Sequence, residues 1–169
     1  MGTVPPFREL IADTTTSAVH LETRDAYTPS DPQFQDWQAG RPVPEPALPD
    51  WHALVRAHTA RGVRFRRVRV VSEPLAPFIR FEHSITGATN ADAGEDVRWL
   101  PRRLASDLLL PGNDFWLFDD RLIRFHLFSG EGEIVEDVLC DDPAVIRRCS
   151  AAFGEVWERA IPHADYRPV

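Results

Sequence analysis

A chain of 169 residues, 43 % hydrophobic and 27 % charged, can bury the core of one domain, is too short for two full-sized ones, and is too apolar for wholesale disorder. Its net charge of −7 and isoelectric point near 5.3 argue against nucleic-acid binding through general positive charge, although a local basic patch stays open. All 19 basic residues are arginine, which excludes Schiff-base catalysis, a Walker-type phosphate loop and any lysine nucleophile.

Cys140 and Cys149 have neither metal-ligand spacing nor the density of a secreted scaffold, and are read as reduced and structural. The first ten residues lack a basic n-region and an apolar h-region, and no run approaches the roughly 18 apolar residues of a membrane span. The cytoplasm is the expected location, away from membranes.

In chain order, Phe7, Leu10 and Ile11 recur at i, i+3, i+4, which predicts a short amphipathic helix over Pro6 to Asp13. Val19 to Arg24 reads as a strand. Asp31 to Ala39 reads as a short helix, with Asp31 as N-cap, Pro32 at the first helical position and Gly40 as stop. Four prolines between Arg41 and Pro49 predict an extended connector. Residues 1–50 are therefore expected to form an N-terminal arm, and residues 51–169 the mixed-sheet body, of one compact domain.

Asp50 is the expected cap of a helix whose stripe is Trp51, Leu54, Val55 and His58 and whose stop is Arg61-Gly62. The stretch from Arg61 to Leu100 follows as strand, helix, strand, and the rest of the chain is organised around it. In the strand Val63 to Val71, alternation puts Val63, Phe65, Arg67, Arg69 and Val71 on one face and Arg64, Arg66, Val68 and Val70 on the other. Ser72 is the expected N-cap of a helix running to about Thr86, with Pro74 in its first turn. Asn90 to Gly94 turns into a short strand, Asp96 to Leu100, stopped by Pro101. Phe115 to Phe118 and Leu122 to Phe128 form an antiparallel hairpin about Asp119-Asp120-Arg121. Glu133 to Leu139 is the next strand. Asp142 then caps a long helix over Pro143 to Ala160, ended by Pro162. The predicted class is α/β (α+β), a mixed β-sheet flanked by helices.

Six motifs resemble, in the same order, an uncharacterised actinobacterial family. They are LETRDAY (Leu21 to Tyr27), RVRVVSEPL (Arg67 to Leu75), IRFE (Ile79 to Glu82), N-x-x-A-G-E-D-x-R-W-L-P-R (Asn90 to Arg102), DFWLFD (Asp114 to Asp119) and PHADYR (Pro162 to Arg167). Members of that family are commonly encoded near helix-turn-helix regulators of the WhiJ type, and it has no established activity to carry over. The order of elements from Trp51 is also similar to one half of a phospholipase-D-like domain. That superfamily places a His-x-Lys pair on the strand before the Asp-Asp turn. The corresponding positions here are Gly112 and Asp114, while Asp119 and Asp120 remain. The resemblance implies a degenerate member in which phosphodiesterase chemistry of that type is not expected.

The candidate site is Arg67, Arg69, Glu73, Glu82, Asn90, Glu95 and Arg98, with Arg80 beside it. Ligands of open α/β sheets bind beyond the carboxyl ends of strands, and Arg69, Glu73 and Arg98 fall there in this reading. Arginine's fork suits carboxylate or phosphate. The competing reading is internal ion pairing, with Glu73 or Glu82 neutralising arginines at the sheet edge. His83 shares its predicted helix with Arg80 and Glu82. No HExxH or HxH pattern occurs, so no metal site or cofactor is expected, and Ser72 lacks the glycines of a nucleophile elbow.

Two functions stay open. One is a non-catalytic binding or regulatory protein that recognises a small anionic ligand, or a protein partner such as a helix-turn-helix regulator. Its site would be Arg67, Arg69, Glu73, Arg80, Asn90, Glu95 and Arg98. The other is a small metabolic enzyme acting on a phosphate- or carboxylate-bearing substrate, with Glu73, Glu82 or His83 as acid or base. A carboxylate among arginines makes a poor base, which favours binding. Direct nucleic-acid contact is not expected, and the oligomeric state, a homodimer included, stays open.

Overall fold

The computed structural model describes residues 4–28 and 30–169. Among the described residues five α-helices, α1 (Phe7–Ala12), α2 (Pro32–Gln38), α3 (Pro49–Ala60), α4 (Pro77–Thr86) and α5 (Pro143–Arg159), surround one sheet. Its strands are β1 (Ser17–Glu22), β2 (Arg64–Val71), β3 (Glu95–Pro101), β4 (Asp114–Phe118), β5 (Leu122–Phe128), β6 (Ile134–Cys140) and β7 (Ile161–Pro162). They lie in the order β6-β5-β4-β1-β2-β3-β7. β1, β2 and β3 run parallel, and every other pairing is antiparallel.

The alternation of β2 decides how the sheet is covered. Val68 and Val70 face α5, and with Val19, Leu21, Leu100, Phe115, Leu117 and Ile123 they pack on Ile146, Cys149, Phe153 and Val156. Each such side chain contributes about 1.5–3 kcal/mol on burial. The other face has two apolar clusters. Leu10, Ile11, Val55, Phe65, Trp116 and Phe118 fill one end, and Phe34, Leu75, Phe78, Phe81, Val97, Trp99 and Tyr166 fill the other. Polar side chains occupy the gap between them.

Several expectations are corrected by this arrangement. The strand expected at Val19 to Arg24 is Ser17–Glu22, buried along its whole length because it sits mid-sheet, between β2 and β4. The arm and the body expected on either side of residue 50 therefore share one sheet, and the first fifty residues supply its middle strand. Ser72 caps nothing: α4 begins at Pro77 after Ala76, with no side-chain cap. The Ser72 N–H and hydroxyl instead donate to Asp25, each at 2.7 Å. Asp50 lies inside the first turn of α3 rather than at its cap, which is Leu48. After α5 the chain adds a short strand at Ile161–Pro162 against Trp99 and Arg98.

Asp31 and Asp142 do cap their helices, each accepting from two backbone amides. In the β4–β5 turn Asp119 and Asp120 take φ of 49° and 51°, and Arg121 N–H donates to Phe118 O at 2.9 Å, the pattern of a type I′ turn. The Asp119 carboxylate reaches across to the start of β1. It accepts from the N–H groups of Thr15, Thr16 and Ser17 at 2.7–2.9 Å and from the hydroxyls of Thr15 and Thr16. No helix among the described residues is long and apolar enough to cross a membrane.

Candidate functional site

Strand register builds the polar gap. Parallel pairing sets His20 beside Arg67 and Glu22 beside Arg69, and Phe65 beside Glu95. Antiparallel pairing sets Trp116 beside His20. Strict alternation then points His20, Glu22, Arg67, Arg69 and Glu95 to the α4 face.

The charges pair in a buried chain. Arg67 donates from Nε to Glu95 Oε1 at 2.7 Å and from Nη1 to Glu22 Oε1 at 2.6 Å. Arg69 donates from Nε to Glu22 Oε2 at 2.6 Å, from Nη1 to Thr86 at 2.9 Å, and from Nη2 to Glu82 Oε1 at 3.2 Å. Glu95 Oε2 accepts from Asn90 at 2.6 Å and from the Trp51 indole N–H at 3.1 Å. The Arg67 guanidinium sits beside the tilted Trp51–Trp116 pair, 5.5 and 5.4 Å from centroids that are themselves 5.5 Å apart. A desolvated cation within about 6 Å of two aromatic rings gains cation–π stabilisation. Glu95, whose side chain has no exposed surface, and Glu22, with 8 %, accept charged hydrogen bonds at both oxygens, which offsets much of the cost of burial.

Ionisation follows from this packing. Burial alone would raise the Glu22 carboxyl, but Arg69 and Arg67 overcome it and hold the group below its usual range. Burial pushes His20 well below the usual imidazole value, with Arg67, His126 and Arg69 adding to the effect, so the ring is neutral. Glu82 behaves oppositely. Burial pushes it up to about 7, its single arginine contact being too long to compensate and Glu22 adding repulsion. Two buried polar atoms here make no well-formed hydrogen bond, Glu82 Oε2 and His20 Nδ1, the latter 3.4 Å from Glu22 Oε1.

A cavity of about 270 Å³ opens onto this group. Its walls include Trp51, Trp116, Phe78, Phe81 and Ile85, and its polar surface comes from His20, Asp31, Arg67, Arg69, Glu82 and Asn90. A larger depression of about 530 Å³ lies on the α5 face, lined by Leu110, Phe125, Leu127, Val138, Val145 and Cys149 with Asn113 and Arg148. None of its lining side chains has an unpaired buried polar atom, so the polar chemistry belongs to the smaller cavity. Among the described residues no group of three or more His, Cys, Asp or Glu is placed to hold a metal ion.

Of the residues singled out from sequence, Arg67, Arg69, Glu82, Asn90 and Glu95 come together. Four do not. Glu73 accepts from the Tyr166 hydroxyl at 2.8 Å and meets Arg103 beyond the end of β2. Arg98 lies on the α5 face, its guanidinium 3.9 Å from the Trp157 ring centroid. Arg80 is exposed. His83 packs beside Trp99, His163 and Tyr166, outside the cavity lining. The arginines also stand within β2 rather than beyond its end. Their neutralisers are Glu22 and Glu95 together with Glu82, while Glu73 takes no part.

His20, Glu22, Trp51, Thr86 and Trp116 were missed. His20 and Glu22 carry a readable signal, two polar residues at i, i+2 in the apolar run Ala18-Val19-His20-Leu21-Glu22. On a strand that spacing means one polar face. The position that the phospholipase-D-like resemblance gives to lysine is Asp114, at the start of β4. Its buried carboxylate accepts from Thr23 N–H and hydroxyl and from the Tyr27 hydroxyl, at 2.6–2.9 Å.

Comparison with solved structures places this architecture. The phospholipase D family member Nuc from Salmonella typhimurium superposes with a TM-score of 0.52 at 14 % identity, over 95 % of this chain and 88 % of that one. NucT from Helicobacter pylori gives 0.49 at 10 % identity, over 92 % and 87 %. The archaeal chromatin protein TrmBL2 gives 0.48 at 15 % identity, over 90 % of this chain but 47 % of that chain, so the present chain spans about half of it. At these identities the likeness to Nuc is one of fold alone. No curated protein matches the sequence. A family model does match, from residue 5 to residue 168, and on that match the chain belongs to the family described as Domain of unknown function (DUF6879).

Proposed function

We propose that this domain is a small-ligand binding module built on a phospholipase-D-like fold, with the cavity beneath α3 and α4 as its site. One observation carries the reading: Glu82 Oε2 borders the cavity without a hydrogen-bond partner, and His20 Nδ1 beside it has only the 3.4 Å contact to Glu22 Oε1. Buried polar atoms are almost always hydrogen-bonded, and a ligand group seated here would complete the set. Aromatic walls around a few convergent polar groups are the usual make-up of a small-molecule site. The arginines that the sequence offered to an external anion are used to hold carboxylates, so their part is to fix the site. A regulatory role, and a helix-turn-helix partner that would read the bound state, follow from the sequence resemblance and belong to the same proposal.

The test is a titration of ¹⁵N-labelled protein with aromatic fragments of each charge type. Occupancy of the cavity moves the indole signals of Trp51 and Trp116 and leaves that of Trp157 in place. Ile85→Trp, which fills the cavity, abolishes the response. If no fragment moves Trp51 or Trp116, the module reading is lost.

A second reading is enzymatic, and the Glu82 carboxyl supports it. A group pushed up to about 7 beside a cavity can give or take a proton near neutrality. Turnover of a bound compound that disappears in Glu82→Gln while binding persists would replace the first reading with this one.

A further inference from the structure

The balance of charge around the cavity sets the sign of its occupant. Two cations, Arg67 and Arg69, face three carboxylates, Glu22, Glu95 and Glu82. Glu22 and Glu95 answer the two arginines. Glu82, 13 % exposed, receives only the 3.2 Å contact from Arg69 and leaves Oε2 open. Asp31 also lines the cavity, and Asp114 adds negative potential at Glu82. Phe78 and Phe81 present aromatic walls beside it, whose faces attract positive charge. An anion seated there would meet the third carboxylate, and both arginines already hold carboxylates.

Building on the cavity reading above, we propose that the site takes a small, flat organic cation, whose N–H donates to Oε2 of Glu82 and whose body packs on Phe78 and Phe81. The incoming charge supplies the third cation that the network lacks.

Binding is then coupled to a proton. The groups that face Glu82 are His20 and Glu22 from β1, Arg67 and Arg69 from β2, Asp114 from β4, and Tyr27. On its own helix Arg80 is exposed and His83 packs on Trp99 and His163. Burial holds Glu82 protonated up to about pH 7, so a cation must displace that proton at lower pH. Affinity for a permanent cation therefore falls about tenfold per unit as pH drops below 7 and levels off above it.

Three probes of one shape decide this: benzamidine, a cation throughout the range; benzamide, neutral; and benzoate, an anion. Each is titrated against the full chain at several pH values from 5.5 to 8.5, with the Trp51 and Trp116 indole signals as the readout of place. The expected result at pH 8 is benzamidine binding at least tenfold tighter than the other two, weakening as the pH falls. Glu82→Gln should remove both the preference and the pH dependence. Should that variant not fold, the pH profile of the unmodified protein decides alone. Benzoate binding more tightly than benzamidine at these indoles overturns the cation while leaving the cavity as the site. Benzamidine affinity unchanged with pH overturns the role of Glu82. Three probes that leave both indoles unmoved overturn the cavity reading and this inference together.

Discussion

At the scale of single residues, Glu22 has the largest consequence. It gives one oxygen to Arg67 and the other to Arg69, both at 2.6 Å, with 8 % of its side chain exposed. Replacing one partner of a buried pair leaves an uncompensated charge, which costs about 3–5 kcal/mol. Glu22→Gln keeps the shape and leaves Arg69 facing Glu82 at 3.2 Å, a carboxyl that burial pushes up to about 7. It is expected to lose about 3 kcal/mol, seen as a melting point roughly 6–12 °C lower. A variant as stable as the parent would show that water or a shifted side chain replaces the carboxylate. Arg67, Arg69 and Glu95 were legible in the sequence because arginines alternating on a valine-rich strand require partners. Glu22 was not, since no local pattern states which distant carboxylate will lie alongside.

At the scale of elements, the Asp119 side chain reinforces the link that the β1–β4 ladder makes between the β4–β5 hairpin and β1. Burial alone would raise this carboxyl, but the amides of Ser17, Thr15 and Thr16 and the Thr16 hydroxyl hold it well below the usual range. A depressed carboxyl adds stability that is complete above its unfolded value, about 3.9, and lost as pH falls towards the folded value. Asp119→Asn turns one acceptor into a donor that faces amide N–H groups. It should cost about 2 kcal/mol at neutral pH, and the gap in melting temperature between the two proteins should narrow as pH drops through 4. A gap that stays constant with pH would mean that the Asp119 charge adds nothing to the link. The hairpin was readable from Asp-Asp between two apolar runs, and α5 from its cap and stripe. The start of α4 was misread because Ser72 has the form of a cap, yet its hydroxyl and N–H are taken by Asp25, a residue 47 positions away. The two-residue strand β7 has no periodicity to read.

For the whole molecule, the sheet order makes residues 1–50 indispensable. With three strands on either side of β1, a fragment covering 51–169 would lose the strand that joins β4 to β2, along with Val19 and Leu21 from the α5-side core. That fragment should show neither a dispersed amide spectrum nor a cooperative thermal transition. A folded fragment would mean that β4 can close directly onto β2. The sequence indicated a mixed sheet under helices but put its centre too late in the chain, because a Pro-rich stretch reads as a boundary whether or not the strand before it crosses back.

The position of β1 also bears on how the protein is made. This strand is synthesised before its partners: Glu22 meets Arg69 only 47 residues later, and the Thr15 amide finds Asp119 after 104. Long-range pairing of this kind is slow to form and leaves apolar surface open meanwhile. An incomplete product ending before β4 holds β1 with one neighbour missing, so its apolar edge stays open until the β4–β5 hairpin is added.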